Sequence, residues 1–322
     1  MAKRNRNPHY WKIYHSSGIS DPIRIINLVK GIVRKLGPPW QVSKRGRPPE
    51  IAPQLHASIC ITLACFGATL REMEGLTEPF FKRRVDHSTI DWAMQKLPPD
   101  FILQAIKALH EKIDRQCGKG VFIADSTGIS TDRYGACKKG TEEAEKKEHR
   151  KLHVIVKHYP EDAIISIVGA GESHGDRHDS PAFREIFDPT HCRNGLLFAD
   201  RAYDAEPNHR KCYDNDLVPI IKQKVYDKRP KRHRRKALMD FDEELYKRHR
   251  GLVEGVFGGL ETRYDNRTRY RKEHTRKVGI LMMALAHNIR AYLRAVAMSG
   301  VYGFHGVVSF FRGILRQPRP RS

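Results

Sequence analysis

Apolar positions recur at helical spacing in the first third of the chain and turn into short continuous runs in the middle. Ile25, Ile26, Val29, Ile32, Val33 and Leu36 form one helical stripe, opened by Asp21-Pro22 and closed by Gly37-Pro-Pro. From Ile51 to about Leu109 the period stays helical. Leu55, Ile59, Leu63 and Phe66 come first, then Thr69-Leu-Arg-Glu-Met-Glu-Gly-Leu, then Asp86-His-Ser-Thr-Ile-Asp-Trp-Ala-Met-Gln-Lys-Leu, with Asp86 or Ser88 as N-cap. Past Gly118-Lys-Gly120 the pattern becomes strand-like: residues 121–124 are a short apolar run, and 151–157 and 163–169 read as an antiparallel hairpin. A helix is predicted at 180–187, a strand at 196–199, a helix from 204 to about 215, a strand at 217–221, a long helix from about 241 to 263 and a last helix over about 274–297.

This order predicts an α/β chain, a mixed sheet flanked by helices, and it is the element order of a ribonuclease-H-like domain. An all-α region precedes it. Its short helices joined by a turn fit a helix-turn-helix, although a plain helical bundle gives the same pattern. The predicted divisions are a basic arm and amphipathic helix over 1–44, a helical DNA-binding domain over 45–117, the ribonuclease-H-like domain over 118–298 with a basic loop at 222–240, and a basic tail over 299–322 that is expected to be disordered from Ser309.

Charge narrows the class. Lys and Arg number 59 against 37 Asp and Glu, a net +22, which favours a polyanionic partner, nucleic acid before an anionic membrane. No apolar run is long enough for a bilayer span, and the basic start has no apolar segment after it. The expectation is a cytoplasmic, nucleoid-associated protein with no membrane partner. The six cysteines lack a C-x-x-C pair, which argues against a zinc ribbon or a disulfide scaffold. Two segments suit DNA phosphates. Arg45 and Arg47 in Arg45-Gly-Arg47-Pro suit a narrow minor groove, or simply form a solvated linker. The run 222–236 holds nine Lys or Arg in fifteen residues: Lys222, Lys224, Lys228, Arg229, Lys231, Arg232, Arg234, Arg235 and Lys236. So dense a run is expected to stay solvated and to grip a DNA backbone.

Three acids end or interrupt apolar segments: Asp125 in Val121-Phe-Ile-Ala-Asp125-Ser-Thr-Gly, Asp200 in Leu196-Leu-Phe-Ala-Asp200, and Glu254 in Gly251-Leu-Val-Glu254-Gly-Val-Phe-Gly. Glu254 reads as a lone carboxylate on an otherwise apolar helix face, one turn from Arg250. Two aspartates at neighbouring strand ends and a glutamate from a facing helix suit two Mg²⁺ or Mn²⁺ ions roughly 3.5–4 Å apart. Local roles compete with this: a turn at Asp125, a cap at Asp200, an ion pair between Glu254 and Arg250. A zinc site in Ser173-His174-Gly-Asp176-Arg-His178-Asp179 is disfavoured by Gly175, and Asp179 or Ser180 is expected to cap the helix that follows, at the rim of the site.

Ala124-Asp125-Ser-Thr-Gly128, His178-Asp179-Ser180, Asp200-Arg-Ala-Tyr203-Asp204 and Arg250-Gly-Leu-Val-Glu254-Gly-Val-Phe257, in this order, resemble the signature blocks of DDE transposases of prokaryotic insertion sequences, in the insertion-sequence-four and -five superfamily. The resemblance covers about residues 118–297. It implies a ribonuclease-H-like catalytic domain with two Mg²⁺ or Mn²⁺ ions, and hydrolysis at transposon ends followed by attack of the freed 3′-hydroxyl on target DNA. It also implies double-stranded DNA partners, the terminal inverted repeats and the target, and a homodimer that synapses two ends. Asp125, Asp200 and Glu254 would be the catalytic metal ligands, and Arg250 the arginine of the Tyr-Arg-Glu-Lys signature. Two positions depart from it: Lys247 stands where tyrosine is usual, with Tyr246 one place off, and Glu261 where a phosphate-contacting lysine is usual. Glu261 then repels DNA or competes as third ligand, and the basic run or Arg263 supplies the missing cation, or the copy is inactive. A structure-selective nuclease and a DNA-binding protein with a spent site are the rival readings.

Overall fold

The computed structural model describes residues 20–42, 49–131, 149–225 and 229–314, with side chains as far as residue 298. Arg45, Arg47, Lys228 and Cys137 lie outside the described residues. The chain starts with five helices: α1 Pro22–Leu36, α2 Pro53–Phe66, α3 Leu70–Phe81, α4 His87–Lys96 and α5 Pro99–Asp114. Their starts follow local chemistry. Asp21 accepts the N–H groups of Ile23 and Arg24, Thr69 and Glu72 form a capping box, and Asp86 rather than Ser88 caps α4. Helix α2 is buried nearly all round, so it is the centre of a bundle rather than an amphipathic surface helix.

The sheet follows, with β1 Val121–Ser130, β2 His149–Tyr159, β3 Ile164–His174, α6 Asp179–Ile186, β4 Gly195–Ala199, α7 Glu206–Tyr213 and β5 Leu217–Ile221. Strand order is β3-β2-β1-β4-β5. The first three strands are antiparallel neighbours, and β1, β4 and β5 run parallel. This is the mixed five-stranded sheet that the element order predicts. The register slips between Ile155 and Val156, leaving the Ile167 backbone to the side chain of Asn288, which accepts its N–H at 2.7 Å and donates to its carbonyl at 2.8 Å. Gly169 and Gly171 let α6 lie against β3: a Cβ at Gly169 would stand 2.2 Å from the Ile186 carbonyl oxygen.

The remainder is α8 Arg232–Asp240, α9 Glu243–His249, a 3₁₀ turn Arg250–Val253, α10 Glu254–Tyr264 and α11 Glu273–Ile314. Three expectations are corrected. The basic run is partly helical and partly packed, because α8 begins inside it. The helix predicted over 241–263 is broken at Arg250, where Gly251 weakens local helix preference and the tighter turn brings Val253 and Val256 against the sheet. The last helix runs on to Ile314 instead of ending near 297. One continuous apolar cluster joins α1, α2, α5 and α11 to the sheet face of Ile123, Val154, Phe198 and Ile220. No single described helix is long and apolar enough to cross a membrane. Cys60, Cys65, Cys192 and Cys212 are buried and unbridged, and Cys117 is partly buried.

Candidate active site

A period of two places the first two acids. Ala124, Ala199 and Ile221 are register partners on three adjacent parallel strands and face the cluster of Phe122, Leu197 and Phe183. The residues just before them, Ile123, Phe198 and Ile220, face the opposite way, toward Val253, Val256 and Leu260. One step beyond the alanines, Asp125 and Asp200 return to that second face side by side. Asp200 is already past β4, yet its extended backbone, φ −79° and ψ −176°, keeps the alternation.

Arg250 brings the third acid to them. From the 3₁₀ turn its guanidinium lies 3.4 Å from Asp125 Oδ2, and Nη1 donates to Glu254 Oε1 at 3.0 Å. Glu254 is therefore joined to Asp125 through one cation, but it is not the buried charge that the apolar pattern suggested. Its side chain is 67% exposed, because it opens α10 at the edge of the sheet face. The local partners expected of each acid are also present. Asp125 Oδ1 accepts the Ser126 N–H at 2.9 Å, and Asp200 Oδ1 accepts the Ala202 N–H at 2.8 Å.

Burial pushes the Asp125 carboxyl up to about 6, against the Ser126 N–H and Arg250, and the like charges of Asp200 and Asp179 add to it. A desolvated carboxylate among other carboxylates lacks positive charge, and its neighbours offer hard oxygen donors, so the residues present fit Mg²⁺ or Mn²⁺. The acids are not drawn tightly together, however. Among the described residues, the group of three or more potential ligands lying within 4.8 Å of one another is Glu74, Asp86 and His87. That group is accounted for by structure: Asp86 caps α4, and Glu74 accepts from both the backbone and the ring of His87.

Asp179 is a fourth carboxylate at the site. It does not cap α6, whose N-cap residue is His178. Its Oδ1 instead accepts the Ser126 hydroxyl at 2.8 Å, with Lys151 Nζ and His153 Nδ1 each at 3.4 Å. The signal was present in the His178-Asp179-Ser180 block, but the partner across the sheet is not a sequence neighbour. Tyr246, rather than Lys247, turns toward the acids. Burial raises its phenol, Arg250 lowers it, and Asp200 and Asp125 raise it further. Lys247 is exposed and pairs with Glu243 at 3.5 Å. Glu261 is exposed on α10, about two turns beyond Glu254. The backbone carbonyl and Cγ of Arg263 stand beside Gly67, just past the end of α2.

The basic run is divided. Lys224, Arg229, Lys231, Arg232, Arg235 and Lys236 are exposed, and Lys222 is half-buried. Arg234 is corrected: its guanidinium binds buried Asp204 through Nε at 2.9 Å and Nη2 at 2.9 Å, and also reaches the Lys224 carbonyl. It is occupied in holding the segment to the sheet, so it is not available to a phosphate.

The chain is 23% identical over 240 residues to an uncharacterized protein of Aquifex aeolicus (strain VF5), covering 71% of this chain and 74% of that one. It also resembles, with a TM-score of 0.41 and 10% identity, a chain in the cryo-EM structure of a piggyBac transposase synaptic complex with hairpin DNA, over 98% of this chain and 84% of that chain. The transposase DDE domain family matches residues 116–289, more than half of the sequence and a range that includes Asp125, Asp200 and Glu254. The chain belongs to the transposase DDE domain family.

Proposed function

We propose that the chain is a DNA transposase that binds transposon ends, cuts them by metal-dependent hydrolysis and joins the freed 3′-ends to target DNA as a homodimer in the cytoplasm. The observation that carries this reading is that Asp125 and Asp200 each follow the Ala124–Ala199 pair at adjacent parallel strand ends, with Arg250 bridging Asp125 and Glu254. Strand order and the helix facing the acids support a ribonuclease-H-like catalytic domain. Asp125 and Asp200, with Glu254, would hold two Mg²⁺ or Mn²⁺ ions. When bound, such ions activate the attacking hydroxyl and stabilise the leaving oxygen.

The rest falls to the protein. Arg250 orients Glu254 and Asp125 and offers a fork suited to a phosphodiester oxygen. Asp179 fixes Ser126, and with it the end of β1 that carries Asp125. The apolar face under the acids keeps water from reaching them from behind. Exposed Lys231, Arg232, Arg235 and Lys236 on and before α8 grip backbone phosphates. Helices α3 and α4 serve as the end reader, with Ser88, Trp92 and Lys96 exposed one turn apart on α4.

Purified protein incubated with double-stranded DNA carrying its terminal inverted repeat and Mg²⁺ should nick that end and join it to target. Asp125→Asn, Asp200→Asn and Glu254→Gln should retain binding and reduce nicking to background. Cutting without joining would make the chain a nuclease. Binding with no metal-dependent cutting would leave a DNA-binding protein with a spent site.

A further inference from the structure

The three parallel strands end alike, and only two of the three endings are acids. Ile123 then Asp125 on β1, Phe198 then Asp200 just past β4, and Ile220 then Lys222 just past β5 each place a polar residue two positions beyond a buried apolar one, on the alternation of the same sheet face. Ala124, Ala199 and Ile221 are the last register partners of the three parallel strands, and Asp125, Asp200 and Lys222 each follow one of them. The Lys222 N–H donates to the Ala199 carbonyl at 3.3 Å, which closes the last pair of the β4–β5 ladder, Ala199 with Ile221, and anchors the Lys222 backbone at the end of β4, just before Asp200. Its ammonium lies 5.8 Å from the ring centroid of Tyr246, the side chain whose phenol feels Asp125, Asp200 and Arg250. Crevices at the carboxyl ends of parallel strands are where such sheets bind ligands.

We infer that Lys222 is an active-site residue that contacts a non-bridging oxygen of the phosphodiester being cut, filling the electrostatic role that Glu261 does not. The assignment rests on the strand-cleavage reading above. Arg250 meets Asp125 and Glu254, and Lys151 meets Asp179, so the four carboxylates outnumber these cations, and an incoming phosphodiester adds a further negative charge. The ammonium of half-buried Lys222, held near the Tyr246 ring, offsets it where water screens less than at the exposed lysines of the run. Phosphoryl transfer spreads charge onto the equatorial oxygens, which a point charge stabilises. Lys222 thereby separates from the rest of the basic run. Lys224, Lys231 and Arg232 are exposed beyond the strand end, and Arg234 belongs to Asp204.

The test compares wild type, Lys222→Ala, Lys222→Arg, Asp200→Asn and Lys247→Ala for affinity to a terminal-repeat duplex in EDTA and for single-turnover cutting of the bound duplex in Mg²⁺. Lys222→Ala should bind within about threefold of wild type and cut about 10²-fold more slowly, Lys222→Arg should recover about tenfold of that loss, and Lys247→Ala should match wild type. Lys222→Ala cutting at the wild-type rate while Asp200→Asn is silent overturns the assignment and leaves the cleavage reading standing. An affinity loss as large as the rate loss overturns it too, by making Lys222 one more backbone contact. A wild-type chain that binds the duplex and leaves it whole overturns the cleavage reading and this assignment with it.

Discussion

Asp125 and Asp204 lie around the same strand ends, and the structure treats them in opposite ways. Asp204 is fully buried, and its carboxylate accepts from Arg234, from His209 Nε2 at 2.9 Å and from the Lys224 N–H at 2.7 Å. Burial works against its charge, yet those donors hold it down at about 2. Asp125 is nearly as enclosed but receives one backbone N–H and a guanidinium at 3.4 Å, and burial carries it up to about 6. Burial alone does not distinguish a structural acid from a functional one; the number of donors does. A saturated carboxylate secures the fold, whereas an undersupplied one among like charges is ready to accept a cation.

The comparison breaks most visibly at Asp204. Asp204→Ala leaves Arg234 and His209 buried without their shared acceptor and should cost about 3–5 kcal/mol in chemical denaturation, with earlier tryptic cleavage around α8. A loss below about 1 kcal/mol would show that the cluster does not hold the segment. Asp125→Asn should act in the other direction. The folded carboxyl titrates above its ordinary 3.8, so its contribution is fully present below about pH 4 and is lost as pH rises through about 6. The amide carries no charge, so in EDTA at pH 8 the variant should be more stable than wild type by about 1–3 kcal/mol. Mn²⁺ should then raise the Tm of wild type and leave the variant unmoved. A variant less stable than wild type at pH 8 would contradict the direction. The smallest effect belongs to Glu261→Gln, an exposed position where stability should change by less than about 0.5 kcal/mol and cutting should persist. Abolished cutting there would move the third ligand from Glu254 to Glu261.

Much of this was readable one segment at a time. Strand β5 begins and ends where the apolar run does, and an acid closing each of two apolar runs marks Asp125 and Asp200 without any tertiary information. The errors share a cause. Arg234 sits in a run that looks solvated, because nothing nearby in sequence reveals that Asp204, thirty residues earlier, lies buried beneath it. Glu254 looked buried because Val253, Val256 and Leu260 are, but the 3₁₀ turn rotates the acid away from them. Asp179 passed for a cap because capping is the local use of an acid at a helix start; its actual partner, Ser126, lies on strand β1, more than fifty residues earlier.

From the sequence alone came the order of elements, the face each strand buries and the two acids at strand tips, because periods of two and 3.6 are written by near neighbours along the chain. Tertiary structure decided which charges stay available. It paired Arg234 with Asp204, turned Tyr246 rather than Lys247 toward the site, set Asp179 on Ser126 and brought Lys222 to the end of β4 and the Tyr246 ring. Partners of that kind are chosen by register and by packing between distant segments, so whether a buried charge is satisfied emerges only once the sheet has closed.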